Sequence, residues 1–177
     1  MRLGARFALR YALYGGMLFA LYAFPFELFG IQQDPLQGYS RFFAQLAGGA
    51  LHLVDRSVSV TGTLIDGRYP LQIVRNCDAT EINILFASAV LAFPAAVSRK
   101  LLALLVGLTL LVTANVTRIC SLYFVGVHHA GWFKPLHEEV WPLLLVAMAA
   151  LLFLRMAHYL SREPAGPDEP EAHASAV

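Results

Sequence analysis

Between Leu101 and Val125 the chain carries a single charged side chain, Arg118. A helix crosses the hydrocarbon core of a bilayer with about 20 mostly apolar residues, so this run alone is long enough to span. In lipid every backbone polar group must find its partner internally, which limits spanning segments to helices and closed barrels. Apolar runs of this length point to helices. Composition agrees: of 177 residues, 58% are hydrophobic and 14% charged, with a mean hydropathy of +0.58. Soluble domains run at roughly 45–50% apolar and about 25% charged. A formal charge of +1 offers no basic face to nucleic acid, and two cysteines, Cys77 and Cys120, cannot form a disulfide framework.

Further spans follow from the same rule. Phe7–Phe29, preceded by Arg2, Arg6 and Arg10, reads as an anchor with a cytoplasmic N-terminus, too long for a signal peptide, and Pro25 is tolerable near its outer end. Ile82–Val97 is a short span ending at Ser98-Arg99-Lys100, and Val140–Met156 closes the set, with Arg155, His158 and Arg162 around its end. If Arg99 and Lys100 face the cytoplasm, residues 30–81 and 126–138 lie outside and both termini inside. Phe42–Val54 is too short to span and has one polar side, the pattern of an interfacial helix. Alternation from Val58 to Ile73, broken at Asp66-Gly67, predicts a small β-hairpin outside the bilayer. The expected fold is an all-α integral membrane bundle of about four transmembrane helices, with an outer interfacial helix and an extracytoplasmic hairpin. Residues 1–160 form one membrane domain, and 161–177, rich in proline and acids, a disordered cytoplasmic tail.

Ionisable side chains within spans are costly and point to function. Arg118 stands out, with Asn115 one turn earlier on the same face; the alternative is an arginine that snorkels or pairs with a carboxylate. Cys77 precedes Asp78-Ala79-Thr80-Glu81, whose Asp-x-x-Glu spacing predicts a capping box with Asp78 as N-cap. A thiol beside the positive end of a helix ionises more readily, although a lone cysteine there can equally be inert. Cys120, two residues from Arg118, points to the other side and reads as packing. His137, at the start of the last span, suits a general base as neutral imidazole, or an interfacial residue beside Trp132 and Trp141. His128 and His129 suggest metal only weakly, since no HExxH occurs; neither a metal nor a cofactor is expected. By the topology above, Cys77, Arg118 and His137 converge at the outer face. Thiolate, imidazole and guanidinium together suit acyl transfer from a peptide carbonyl.

The ordered set resembles the exosortase/archaeosortase family, closest to its short exosortase H members. It comprises Val58–Thr63, Cys77, Val90-Leu91-Ala92-Phe93-Pro94, Asn115-Val116-Thr117-Arg118-Ile119, Trp132-Phe133 and His137 before Trp141. The resemblance covers nearly the whole chain. It implies a cysteine transpeptidase of the Gram-negative inner membrane, acting at the periplasmic face on proteins with a C-terminal sorting signal: a short motif, a transmembrane helix and a basic cluster. Cys77 would be the nucleophile, His137 the general acid/base and Arg118 the oxyanion-stabilising residue, with Asn115 and Glu81 in support. The implied motif begins Ile-Pro-Thr-Leu and continues to a Trp-Gly pair. Where many family members carry glycine two residues after the cysteine, this chain has Ala79. Relatives are also commonly larger.

Two other readings fit a small helical membrane protein with an outer-facing cysteine. A thiol–disulfide oxidoreductase would pair Cys77 with Cys120, although no Cys-x-x-Cys is present. A non-catalytic scaffold subunit would use Arg118 only as a structural ion-pair partner. Geometry separates them, because a catalytic set must lie within a hydrogen bond or one bridging water.

Overall fold

The computed structural model describes residues 2–23, 37–74 and 79–161. Helices α1 (Arg2–Tyr22) and α2 (Gln37–Val54) precede three strands, β1 (Ser59–Thr61), β2 (Leu64–Asp66) and β3 (Leu71–Gln72). Then come α3 (Thr80–Ala92) and α4 (Val97–His128), a 3₁₀ turn at Ala130–Trp132, the short α5 (Phe133–Pro135), a π-helical turn at Leu136–Val140, and α6 (Trp141–Ser161). Two helical stretches are long and apolar enough to cross a membrane, Val97–His128 and Ala130–Ser161. The end expected for the first span and the tail after Ser161 lie outside the described residues.

Proline fixes the boundary between α3 and α4. Phe93, pushed out of helical space by the Pro94 that follows it, has φ −66° and ψ 136° and ends α3. The chain re-enters helix at Val97, so Arg99 and Lys100 sit in the first turn of α4, not in a loop between spans. From there the Lys100 ammonium donates to the Leu91 carbonyl at 2.8 Å, satisfying an orphan acceptor in the last turn of α3.

At 32 residues, α4 is about 48 Å long by the 1.5 Å rise, and it belongs to two cores. Its first half packs with α3 and α6 around Phe86, Val90, Ala103, Leu111 and Ala149. Gly107 brings α3 close, since a Cβ there would overlap the Phe86 ring. Its second half packs with α2 and the sheet around Phe43, Ala47, Leu51, Ile65, Ile119 and Tyr123. Helix α2 is therefore more than an interfacial strip: Phe43, Ala44, Ala47 and Leu51 are buried in protein, while Phe42, Leu46, Leu53 and Val54 face outward.

The β region is a three-stranded antiparallel sheet, order β1-β2-β3, and not a single hairpin. The first turn falls at Gly62-Thr63, between the paired Thr61 and Leu64. Of the two turn residues only Gly62 has positive φ, at 65°, the signature of a type II′ turn with glycine first. Asp66-Gly67 begins the longer link to β3.

One carboxylate ties this cap to α4. Asp55, following α2, accepts hydrogen bonds from the Ser57 hydroxyl (2.7 Å), the Arg68 Nε (2.7 Å) and the Tyr123 hydroxyl (2.9 Å). The Tyr123 oxygen in turn accepts the Arg68 backbone N–H at 3.1 Å. The Ser57 and Arg68 hydrogen bonds hold the Asp55 carboxyl far below its usual range. A lowered native pKa gives stability that is present above the unfolded carboxylate value of about 3.9 and is lost as pH falls through the native one. Acid unfolding of the wild type is thus expected to shift to higher pH in Tyr123→Phe, followed by circular dichroism in detergent. Gly107→Ala is expected to lower stability by about 1–2 kcal/mol, because overpacking against Phe86 outweighs the gain in helix propensity; thermal unfolding measures it.

Candidate active site

Arg118 sits where the two cores meet. It lies ten residues before the end of α4, deeper than the sequence suggests because the helix continues to His128. Only 4% of its surface is exposed, and Asn115 is fully buried beside it. The Arg118 Nη1 donates toward the Asn115 Oδ1 at 3.4 Å, the i, i+3 contact expected on one helix face. Its Nη2 lies 3.2 Å from the Nδ1 of His137. A guanidinium only donates, so Nδ1 is the acceptor and the imidazole in this contact is neutral, its proton on Nε2. Two residues expected to meet do so, although 19 positions separate them.

The backbone around His137 explains how. Pro142 has no N–H to give the carbonyl of Glu138, and its ring crowds that oxygen. The chain responds with the π-helical turn at Leu136–Val140 in place of α geometry, and His137 projects from this widened turn. Its ring stacks on Phe133 four residues earlier, with centroids 5.6 Å apart and planes at 24°. Phe133 meets Tyr69 at 5.3 Å. Tyr69 presses on Gly126 of α4, where any Cβ would overlap its ring. Phe133 entered the sequence analysis only within the Trp132-Phe133 segment of the resemblance and Tyr69 not at all; the i, i+4 spacing of Phe133 and His137 is the signal that points to their stacking.

Arg118 lines two recesses. One, of about 300 Å³, is bounded by Tyr69–Val74, Leu122, Phe133 and His137. The other, of about 270 Å³, is bounded by Ala79, Thr80, Glu81, Pro142 and Leu145. Glu81 therefore borders the guanidinium's surroundings. The capping box does not form as expected: Ala79 is the N-cap of α3, so Glu81 occupies the second helical position, not the third. Cys77 and Asp78 lie outside the described residues. Cys120 carries a free thiol on the opposite side of α4 from His137, 3.8 Å from the Ala47 carbonyl of α2, in keeping with a packing role. His128 and His129 are exposed, and among the described residues no three His, Cys, Asp or Glu side chains gather.

Ala79 adopts φ 54° and ψ 22°, the left-handed region, and is the one non-glycine residue with positive φ among the described residues. Glycine takes this conformation without penalty, whereas an L-residue with a Cβ incurs about 1–2 kcal/mol.

The transmembrane exosortase family (Exosortase_EpsH) matches residues 1–155. No curated protein and no solved structure gives a significant match. The match spans most of the chain, which belongs to the transmembrane exosortase family, whose members are membrane sorting transpeptidases. The turn into α3 takes positive φ at Ala79, a position where glycine would sit without strain. Ala79→Gly is expected to stabilise the protein by about 1 kcal/mol and Ala79→Val to destabilise it, read as opposite shifts in thermal unfolding midpoint.

Proposed function

We propose that this exosortase is a cysteine transpeptidase in which Cys77 attacks, His137 moves the proton and Arg118 receives the oxyanion. One observation carries the reading: a buried guanidinium is hydrogen-bonded to an imidazole at the edge of two recesses bordered by Val74 and Ala79. Cys77 falls between those two residues in sequence.

In the resting state the Arg118 Nη2 occupies the Nδ1 lone pair of His137. When a scissile carbonyl enters, Arg118 turns its fork to that oxygen and releases the lone pair. The Cys77 proton passes to Nδ1 as the sulfur–carbon bond forms, and the tetrahedral oxyanion is held by the guanidinium. The carbon–nitrogen bond then breaks, and the departing amine takes the proton from the imidazolium. An acceptor amine, or water, attacks the thioester and restores the thiol. Asn115 orients Arg118, and Glu81 shapes the turn that carries the cysteine.

The substrate is an exported protein with a C-terminal sorting signal, its motif beginning Ile-Pro-Thr-Leu and continuing to Trp-Gly. Its transmembrane helix lies beside the enzyme's helices and holds the scissile bond at the periplasmic face of the inner membrane, making attack effectively intramolecular. Helices α1 and α3 join the two longer spans to give four crossings with both termini cytoplasmic. Reporter fusions at residue 56 and at the C-terminus are expected to give periplasmic and cytoplasmic signals respectively.

Co-expression with such a substrate tests the chemistry. Cys77→Ala is expected to abolish the substrate's size shift, while Cys120→Ala retains it; equal loss from both defeats the assignment. Arg118→Lys keeps the charge but loses the planar fork, and a fall of about 10²–10³ in rate is expected, the cost of removing one oxyanion donor.

A further inference from the structure

Among the described residues β3 is an edge strand, paired on one side by β2. Its register pairs Ile65 with Leu71 and Leu64 with Gln72, and the Ile73 N–H donates to the Thr63 carbonyl at 2.9 Å. In an antiparallel ladder, hydrogen-bonded and non-hydrogen-bonded pairs alternate. The Thr63/Ile73 pair is hydrogen-bonded, so the Leu64/Gln72 pair is not. The backbone N–H and C=O of Gln72 therefore point away from β2, and continuing the same alternation directs those of Val74 outward too. Both residues are exposed, and both line the recess that holds Arg118 and His137.

We infer that the residues preceding the substrate's scissile bond bind as an extended strand along this free edge of Leu71–Val74, running toward Arg118 and His137. This rests on the transpeptidase reading and supplies its binding mode. An edge strand accepts a peptide through main-chain hydrogen bonds at every second residue, with pockets for alternate side chains. The cleft provides both elements. Gln72 and Val74 present donors and acceptors two residues apart. Tyr69, Leu122 and Phe133 form an apolar wall for side chains that point inward. A volume of about 300 Å³ is at the small end of ligand cavities, and it admits a few residues of extended chain in preference to a helix or a folded surface. Main-chain pairing also fixes the orientation of each peptide carbonyl, the requirement for delivering one of them to a guanidinium at the end of the strand.

The test is an N-methyl scan, which deletes one main-chain donor at a time and leaves the enzyme unaltered. The probe is a fluorescent synthetic peptide beginning Ile-Pro-Thr-Leu and ending Trp-Gly, bound to full-length Cys77→Ala protein in detergent. Affinity is expected to fall ten-fold or more for methyl groups at alternate non-proline positions and less than two-fold between them. Gln72→Pro, which removes an edge donor not used by β2, is expected to weaken the unmethylated peptide by the same factor. Uniform loss along the peptide, no loss at any position, or no binding overturns the edge docking. Processing of the whole sorting-signal protein judges the chemistry separately. Cys77-dependent processing without periodicity leaves the transpeptidase and removes the strand, whereas periodic binding with Cys77-independent processing does the reverse.

Discussion

A guanidinium cannot remain in an apolar interior without partners. Desolvating a cation is strongly unfavourable unless hydrogen bonds replace its water, and Arg118 is almost entirely removed from solvent. The described partners come from two places. Asn115 is local, given by helical periodicity. His137 belongs to a different element, so its contact holds only if the end of α4, the return through Ala130–Pro135 and the start of α6 all keep their places. The charge that makes the site chemically useful thus also constrains the fold around it.

Two tethers hold those elements. On the helical side, Pro142 enforces the wide turn from which His137 projects. On the cap side, Asp55 binds both Tyr123 of α4 and Arg68 of the β2–β3 link. Arg68 is followed by Tyr69, which leans on Gly126 and meets Phe133, which stacks on His137. The orientation of one imidazole is thereby set by rigid rings and a fully hydrogen-bonded carboxylate. Positioning by packed aromatics suits a site that must hold geometry to fractions of an ångström.

Much of this was legible in the sequence, and the boundary of legibility is physical. Long apolar runs and an isolated charge are properties of composition along a helix, so α4 and the place of Arg118 within it could be read directly. The opposed directions of Arg118 and Cys120 follow from a period of 3.6 residues. Where a helix begins is decided by a residue or two of backbone conformation, which is why Asp78 looked like a cap and Ala79 is one. The sheet was read as one hairpin because Asp66-Gly67 is the stronger turn dipeptide, yet Gly62-Thr63 forms the tight turn that the register requires. The π-helical turn was illegible for another reason: the effect of Pro142 depends on which carbonyl stands four residues before it within a continuous helix.

The location of the site at the junction of two cores has its own logic. Within the hydrocarbon, a thiolate–imidazole–guanidinium set would lack the water and polar backbone that stabilise charged intermediates. Fully in water, the attraction between an oxyanion and a guanidinium falls to about 1 kcal/mol at 4 Å, against about 4 kcal/mol at the effective dielectric of a protein surface. The second half of α4 avoids both limits. Lipid-length apolar helix lies on one side, and a small sheet on the other excludes bulk water while leaving one edge open. On the function proposed above, a substrate anchored by its own transmembrane helix would have its scissile segment where the chain leaves the bilayer and its backbone first needs hydrogen-bond partners from outside itself. The edge of β3, beside a buried arginine, is placed to meet that need.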